Sequence, residues 1–309
     1  MGRIPGSRNR RARLVAVMSR MVITGAGGQV GRLLAIAARR RGYDVAALTR
    51  ADLDITDGAA VRGQVRAGDL VINCAAFTNV DAAEAEPEAA RAINASGPGL
   101  LAAACASAGA GLVHISTDYV FPGDAGRCYD VGDETGPLGV YGTTKLDGER
   151  AVLEALPQAY VVRTSWVYTG GGGSDFVAVM RRLATTTDRV LEVVDDQTGS
   201  PTYAADLVSA LLEIAAGGVR GPILHAANDG AVSRYQQARA VFAELGADPD
   251  RVRPVSSDAV PRPARRPVCS ALSMAASVRA GLTPLRPWRD ALAEALAVPI
   301  DDGPIPSTP

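Results

Sequence analysis

The sequence predicts an α/β protein built on a doubly wound parallel sheet, with a smaller second part. Three observations predict it. Short apolar runs rich in β-branched residues alternate with helical patterns. The first of these runs leads straight into a glycine-rich loop that opens a helix. No internal repeat interrupts the alternation. Strands alternating with helices imply a parallel sheet covered on both faces.

The elements follow in order. Met21-Val22-Ile23-Thr24 reads as a strand, and Gly25-Ala26-Gly27-Gly28-Gln29-Val30-Gly31 follows it. The next helix runs to about Arg41, where Gly42 stops it. Further strands are expected at 44–48, 70–73, 112–116, 160–164, 191–194 and 222–226. Helical patterns at 87–108, 141–156, 175–186 and 203–215 separate them, and a last helix is expected near 288–296. The glycine run Gly170–Gly173 is a loop, as is the Pro- and Arg-rich stretch from Ser256 to Pro267. A dinucleotide-binding part is expected at 21–166 with 191–226, and a discontinuous second part at 167–190 and 227–298. Residues 1–20 carry six arginines and no acid. They read as a disordered basic extension, or as a start assigned too early with Met18 or Met21 as the working start. Residues 299–309 read as a tail.

Composition narrows the function. With 309 residues, 47% hydrophobic and 21% charged, the chain suits a soluble globular enzyme. A net charge of −1 offers no global field for nucleic acid. No apolar run approaches the ~18 residues that a membrane span needs. Cys74, Cys105, Cys128 and Cys269 show neither metal-ligand spacing nor a disulfide pattern, so a reducing cytoplasm and no metal site are expected.

The glycine loop sits between a strand and a helix, the setting of a Rossmann-type dinucleotide site. Gly25, Gly28 and Gly31 allow the tight turn and the close packing. The backbone of Gln29 and Val30 at the helix start offers N–H groups to a phosphate. Cofactor choice is expected at the end of the second strand, where Thr49-Arg50 stands in place of an acid. A hydroxyl and a guanidinium suit a 2′-phosphate, so NADPH is expected, with NADH as the alternative. Asp54 and Ile55 are expected at the adenine edge. Cys74, Ala75 and Ala76 are small residues that form a wall beside the cofactor. Asn94, unfavourable inside an Ala-rich helix, is expected to have a polar role there.

Lys145 is the only lysine; the other 31 of the 32 basic residues are arginine. Arg replaces Lys wherever a solvated charge is enough, but not where a compact ammonium must approach another group. Lys145 follows Tyr141 by four residues, which stacks the two side chains on one helix face. Thr117 ends a strand and is expected to point into the cleft beside them. Together they form an acid–base set. Tyr141 donates a proton to a carbonyl oxygen, Lys145 holds charge near the phenol and binds the nicotinamide ribose, and Thr117 orients the carbonyl. A charge at ~4 Å in an effective dielectric of ~20 is worth up to ~4 kcal/mol. That is enough to bring a phenol with a pKa near ~10 close to working pH. His114 reads as a packed core histidine.

GAGGQVG, LDITD, VINCAAFTNVDAAE, STDYVF, YGTTKLDGE and DDQTGSPT occur in this order from Met21 to about Leu272. They resemble the dTDP-4-dehydrorhamnose reductase family, within the extended short-chain dehydrogenases. The resemblance implies reduction of the C4 ketone of a dTDP-linked 6-deoxyhexulose, giving dTDP-L-rhamnose in the standard case. It implies Thr117, Tyr141 and Lys145 as the catalytic set. It also implies Asp118, Tyr119 and Trp166 in the sugar pocket, with Arg262 and Arg266 near the nucleotide diphosphate. Cys269 stands where the family usually has Asn. Alternatives are a related deoxysugar ketoreductase, a nucleotide-sugar epimerase and a non-catalytic dinucleotide-binding subunit. A monomer or homodimer is expected.

Overall fold

The computed structural model describes residues 20–171 and 173–298. The basic extension before Arg20 and the tail after Val298 lie outside the described residues.

Twelve strands and eleven α-helices are described. The strands are β1 (Arg20–Thr24), β2 (Asp44–Leu48), β3 (Leu70–Asn73), β4 (Gly111–Thr117), β5 (Tyr160–Thr164), β6 (Val167–Tyr168), β7 (Leu191–Val194), β8 (Thr198–Gly199), β9 (Thr202–Tyr203), β10 (Ile223–His225), β11 (Val232–Ser233) and β12 (Val252–Val255). The helices are α1 (Gln29–Arg40), α2 (Gly58–Gln64), α3 (Val80–Ala85), α4 (Pro87–Arg91), α5 (Gly97–Ala108), α6 (Val140–Ala155), α7 (Phe176–Thr186), α8 (Ala204–Ala216), α9 (Arg234–Glu244), α10 (Ala275–Arg279) and α11 (Trp288–Ala297).

The central sheet has six parallel strands in the order β10-β5-β4-β3-β1-β2. The chain moves outward from β1 in one direction to β2 and in the other through β3. The crevice between β1 and β3 is therefore the switch point at which ligands bind such sheets. Alternate residues of each strand face opposite layers. Met21, Ile23, Ile72, Val113 and Val162 pack with α1 and α8. Val22, Val71, Leu112 and Val161 pack with α2, α5 and α6. Burial on both faces is what near-continuous apolar runs encode.

A second core forms around α7, α9 and α11, with Tyr168, Val193, Phe242, Val252 and Trp288. Leu191–Val194, expected with the dinucleotide-binding part, belongs here: it pairs in parallel with Val252–Val255 and not with the central sheet. The reason lies in Glu192. It is exposed while Val193 is buried, and such one-sided burial does not suit a central parallel strand. The helix expected at 87–108 is also interrupted. Residues Ala92–Ser96 form a π-turn between α4 and α5, a local widening that is frequent at functional sites.

Candidate active site

Gly25 turns the chain from β1 into the loop at φ +65°. A Cβ at Gly25 would lie 2.6 Å from the Ala75 N, so the loop rests directly on the Cys74–Ala75 backbone. Those residues hold up the loop. Gly31 is equally tight: a Cβ there would lie 2.4 Å from the Gly25 carbonyl oxygen. Gly28 caps α1 with backbone only, and the first intrahelical bond is from Arg32 N–H to Gly28 O. The N–H groups of Gln29, Val30 and Gly31, in the first turn of α1, thus have no helical partners. The Gln29 side chain donates to Asp175 Oδ2 at 3.1 Å, tying the loop to α7.

At the end of β2, the N–H and hydroxyl of Thr49 both donate to Asp52 Oδ2. Asp52 therefore closes a turn, and Arg50 is exposed beside it with no ion pair among the described residues. Asp54 is exposed and accepts from the Thr56 N–H and hydroxyl. Ile55 is buried against Gly97. Asn94 sits in the π-turn and is fully buried. Its amide donates to Phe77 O at 3.1 Å and Thr144 Oγ1 at 3.2 Å, and its Oδ1 accepts from Phe77 N–H at 2.8 Å. The polar role expected of Asn94 is therefore to hold the loop after β3 against α6; both amide protons are spent on protein. Ala76 is half-buried on that same loop.

Tyr141 and Lys145 share a face of α6, above the end of β4. The Lys145 ammonium donates to Ile115 O at 2.7 Å, and the residue is 2% exposed. Burial pulls its pKa down to about 8, against the opposing influence of Glu149 and Cys74. Burial pushes the Tyr141 phenol well above its ordinary value. The Thr117 hydroxyl draws it back by hydrogen bonding, and Asp118 and Tyr119 push it up further. The four-residue spacing predicts that Lys145 acts on this phenol; in the structure the ammonium gives one proton to the β4 carbonyl of Ile115. Tyr119 packs edge-on to Tyr141, with ring centroids 5.6 Å apart.

The Thr117 hydroxyl donates to Asp118 Oδ1 at 2.9 Å. Asp118 is buried and also accepts from the Ser165 and Ser270 hydroxyls. Burial raises its pKa, while these donors oppose the rise. Trp166 holds φ +48°. Its ring lies against Gly199 on one side, and the Arg234 guanidinium sits 3.5 Å from the ring centroid. Arg266, expected near a diphosphate, gives both its Nη groups to Asp81 at 2.7 and 2.9 Å. Arg262 is exposed, 3.9 Å from Asp81. The loop expected after Ser256 is thus strapped to α3, and Ala264 and Pro267 line a cleft with Val80, Tyr119, Tyr141 and Leu138. Cys269 points to Arg127 O at 3.7 Å, while Ser270 beside it reaches Asp118.

Sequence reasoning missed Asp81, Glu84, Glu149, Arg163 and Arg234. Glu149 was legible as the next four-residue step after Tyr141 and Lys145. The others are brought in by chain segments far away in sequence.

The RmlD substrate binding domain family model matches residues 19–299. A dTDP-4-dehydrorhamnose reductase of Mycolicibacterium smegmatis is 61% identical over 99% of this chain and 95% of that protein. One from Mycobacterium tuberculosis is 61% identical over 94% of this chain and 97% of that protein. The structure of dTDP-4-dehydrorhamnose reductase from Bacillus anthracis in complex with NADP matches with a TM-score of 0.85 and 36% identity, over 90% of this chain and 98% of that one. With the model match spanning the described residues, this chain belongs to the RmlD substrate binding domain family.

Proposed function

We propose that this chain reduces the C4 ketone of dTDP-4-dehydro-L-rhamnose to dTDP-L-rhamnose with NADPH. The observation that carries the reading is the Thr117–Tyr141–Lys145 set at the end of β4 and the start of α6, together with a glycine loop that has no room for a side chain at Gly25 or Gly31. The names of the 61% identical relatives and the NADP complex support it.

The residues present fit a dinucleotide. Gly25 and Gly31 keep the crevice open, α1 offers unpaired N–H groups to a pyrophosphate, and Arg50 is free to meet a 2′-phosphate. NADPH, when bound, supplies the hydride. Lys145 has two ammonium protons beyond the one given to Ile115, and these would hold the ribose hydroxyls. Tyr141 delivers its phenolic proton to the C4 oxygen as charge develops there. Thr117 orients the same oxygen once its hydroxyl turns from Asp118. Asp118, Tyr119 and Trp166 form the sugar side of the cleft. Arg266 and Arg262 reach the diphosphate by releasing Asp81. A cytoplasmic setting accords with four free cysteines, with the enzyme acting as a monomer or homodimer.

The test is NADPH oxidation with dTDP-4-dehydro-L-rhamnose, with NADH in parallel. Turnover is expected, reduced by ~10²–10⁴-fold in Tyr141→Phe with NADPH affinity retained. Full activity in Tyr141→Phe would sink the mechanism.

A further inference from the structure

Lys145 is too deeply buried to be solvated, and the groups around it have a definite order. Helix α6 stacks Tyr141, Lys145 and Glu149 at four-residue intervals on one face. Glu149 is 2% exposed. Arg163 clamps it from β5, Nε to Oε1 at 2.9 Å and Nη2 to Oε2 at 2.7 Å. The Ser116 hydroxyl of β4 also donates to Oε1, at 2.5 Å. Ser116 and Arg163 are register partners across the two strands, and the Phe121 ring covers the guanidinium at 5.0 Å. Ser116 lies between Ile115, whose carbonyl accepts from Lys145, and Thr117. One carboxylate therefore ties the helix bearing Tyr141 and Lys145 to the strand bearing Thr117 and the Lys145 acceptor.

Buried ion pairs seldom stabilise a fold more than apolar residues of the same volume. The use of this pair lies in the third charge beside it. We propose that Glu149, clamped by Arg163 and Ser116, is a positioning residue for the reduction: it holds the α6 face bearing Tyr141 and Lys145 to the end of β4 bearing Thr117 and the Ile115 carbonyl that takes the Lys145 ammonium, and it offsets the Arg163 charge beside that ammonium. This rests on the catalytic reading of Lys145.

The groups facing Lys145 come from every neighbouring element. Cys74 follows β3, His114 lies in β4, Tyr141 and Glu149 lie on α6, and Arg163 stands behind Glu149 in β5. The Cys74 thiol is pushed up to about 12 by burial. His114 is held neutral, its pKa pulled well down by burial and then by Lys145. Glu149 is thus the only anion of the group, and Arg163 already offsets it. Neutralising Glu149 alone leaves two cations together. Neutralising both members of the pair restores a single one.

That difference is measurable because Lys145 is the sole lysine. Tag-free full-length protein labelled with [ε-13C]lysine gives one side-chain resonance to titrate. Glu149→Gln is expected to lower the midpoint by about one pH unit or more. The alkaline limb of kcat moves the same way, with KM for the sugar nucleotide little changed. Glu149→Gln/Arg163→Gln is expected to recover most of the midpoint, whereas a pair that only packs would leave the double variant no closer to wild type. An unmoved midpoint in folded Glu149→Gln overturns the proposal. Should that variant not fold, Arg163→Gln decides: freeing Glu149 for Lys145 is to raise the midpoint, and an unmoved or lowered one overturns it. The titration needs no substrate, so it stands apart from the catalytic reading, which fails if Lys145→Met keeps turnover.

Discussion

Gly25 shows how one residue controls the crevice. Its φ of +65° disfavours any side chain, and a Cβ would press on the Ala75 backbone at 2.6 Å. Neither obstacle can be relieved by a rotamer change, because both sides are main chain. Gly25→Ala is expected to lift the loop, weaken NADPH binding at least about tenfold and lower stability by ~1–3 kcal/mol. Fluorescence titration with NADPH and urea denaturation measure the two effects. Wild-type affinity in this variant would remove the loop from the cofactor site. Lys145 shows the complementary case, a residue type retained for its compact charge. Its pKa of about 8 also gives it a titration close to neutrality.

At the scale of elements, α3 organises the cleft from outside it. Gly139 caps α6 without a side chain. Glu84 of α3 supplies the missing acceptor, taking the Val140 N–H at 2.8 Å. A carboxylate at a helix start also suits the helix dipole. Asp81, one turn earlier, holds the Arg266 strap. A short helix thus positions the Tyr141 helix and the loop that faces it. Glu84→Ala is expected to cost about 1 kcal/mol of stability. It is also expected to lower kcat several-fold as the first turn of α6 loosens, with NADPH affinity near wild type. Steady-state kinetics beside urea melts would show it, and an unchanged kcat would limit Glu84 to a stability role.

For the whole molecule, the acid side of the stability profile follows from two buried histidines. The His225 Nδ1–H donates to Ser273 O at 3.0 Å, and burial pulls the imidazole pKa down to about 4. His114 is depressed in the same direction. Because the folded values lie below the unfolded one, the unfolded chain binds protons first as pH falls below ~6.5. The stability contributed above that pH is lost progressively down through the folded pKa. The urea midpoint is expected to be lower at pH 5 than at pH 7, and the drop to shrink in His225→Gln. Equal midpoints at the two pH values would contradict the burial of neutral imidazoles.

The alternation of apolar runs and helical patterns, the glycine spacing and the Tyr141–Lys145 interval were all legible along the chain, because each is set by local geometry within a few residues. They were enough to place the parallel sheet, the glycine crevice and the shared helix face of Tyr141 and Lys145. Tertiary structure alone decided what surrounds that pair: Arg163 on Glu149, Asp81 on Arg266, Ser270 on Asp118, and β7 beside β12. Periodicity records which face of an element is apolar, but not which distant segment covers it. It is the low dielectric created by that covering that raises the pKa of the Tyr141 phenol and lowers that of the Lys145 ammonium.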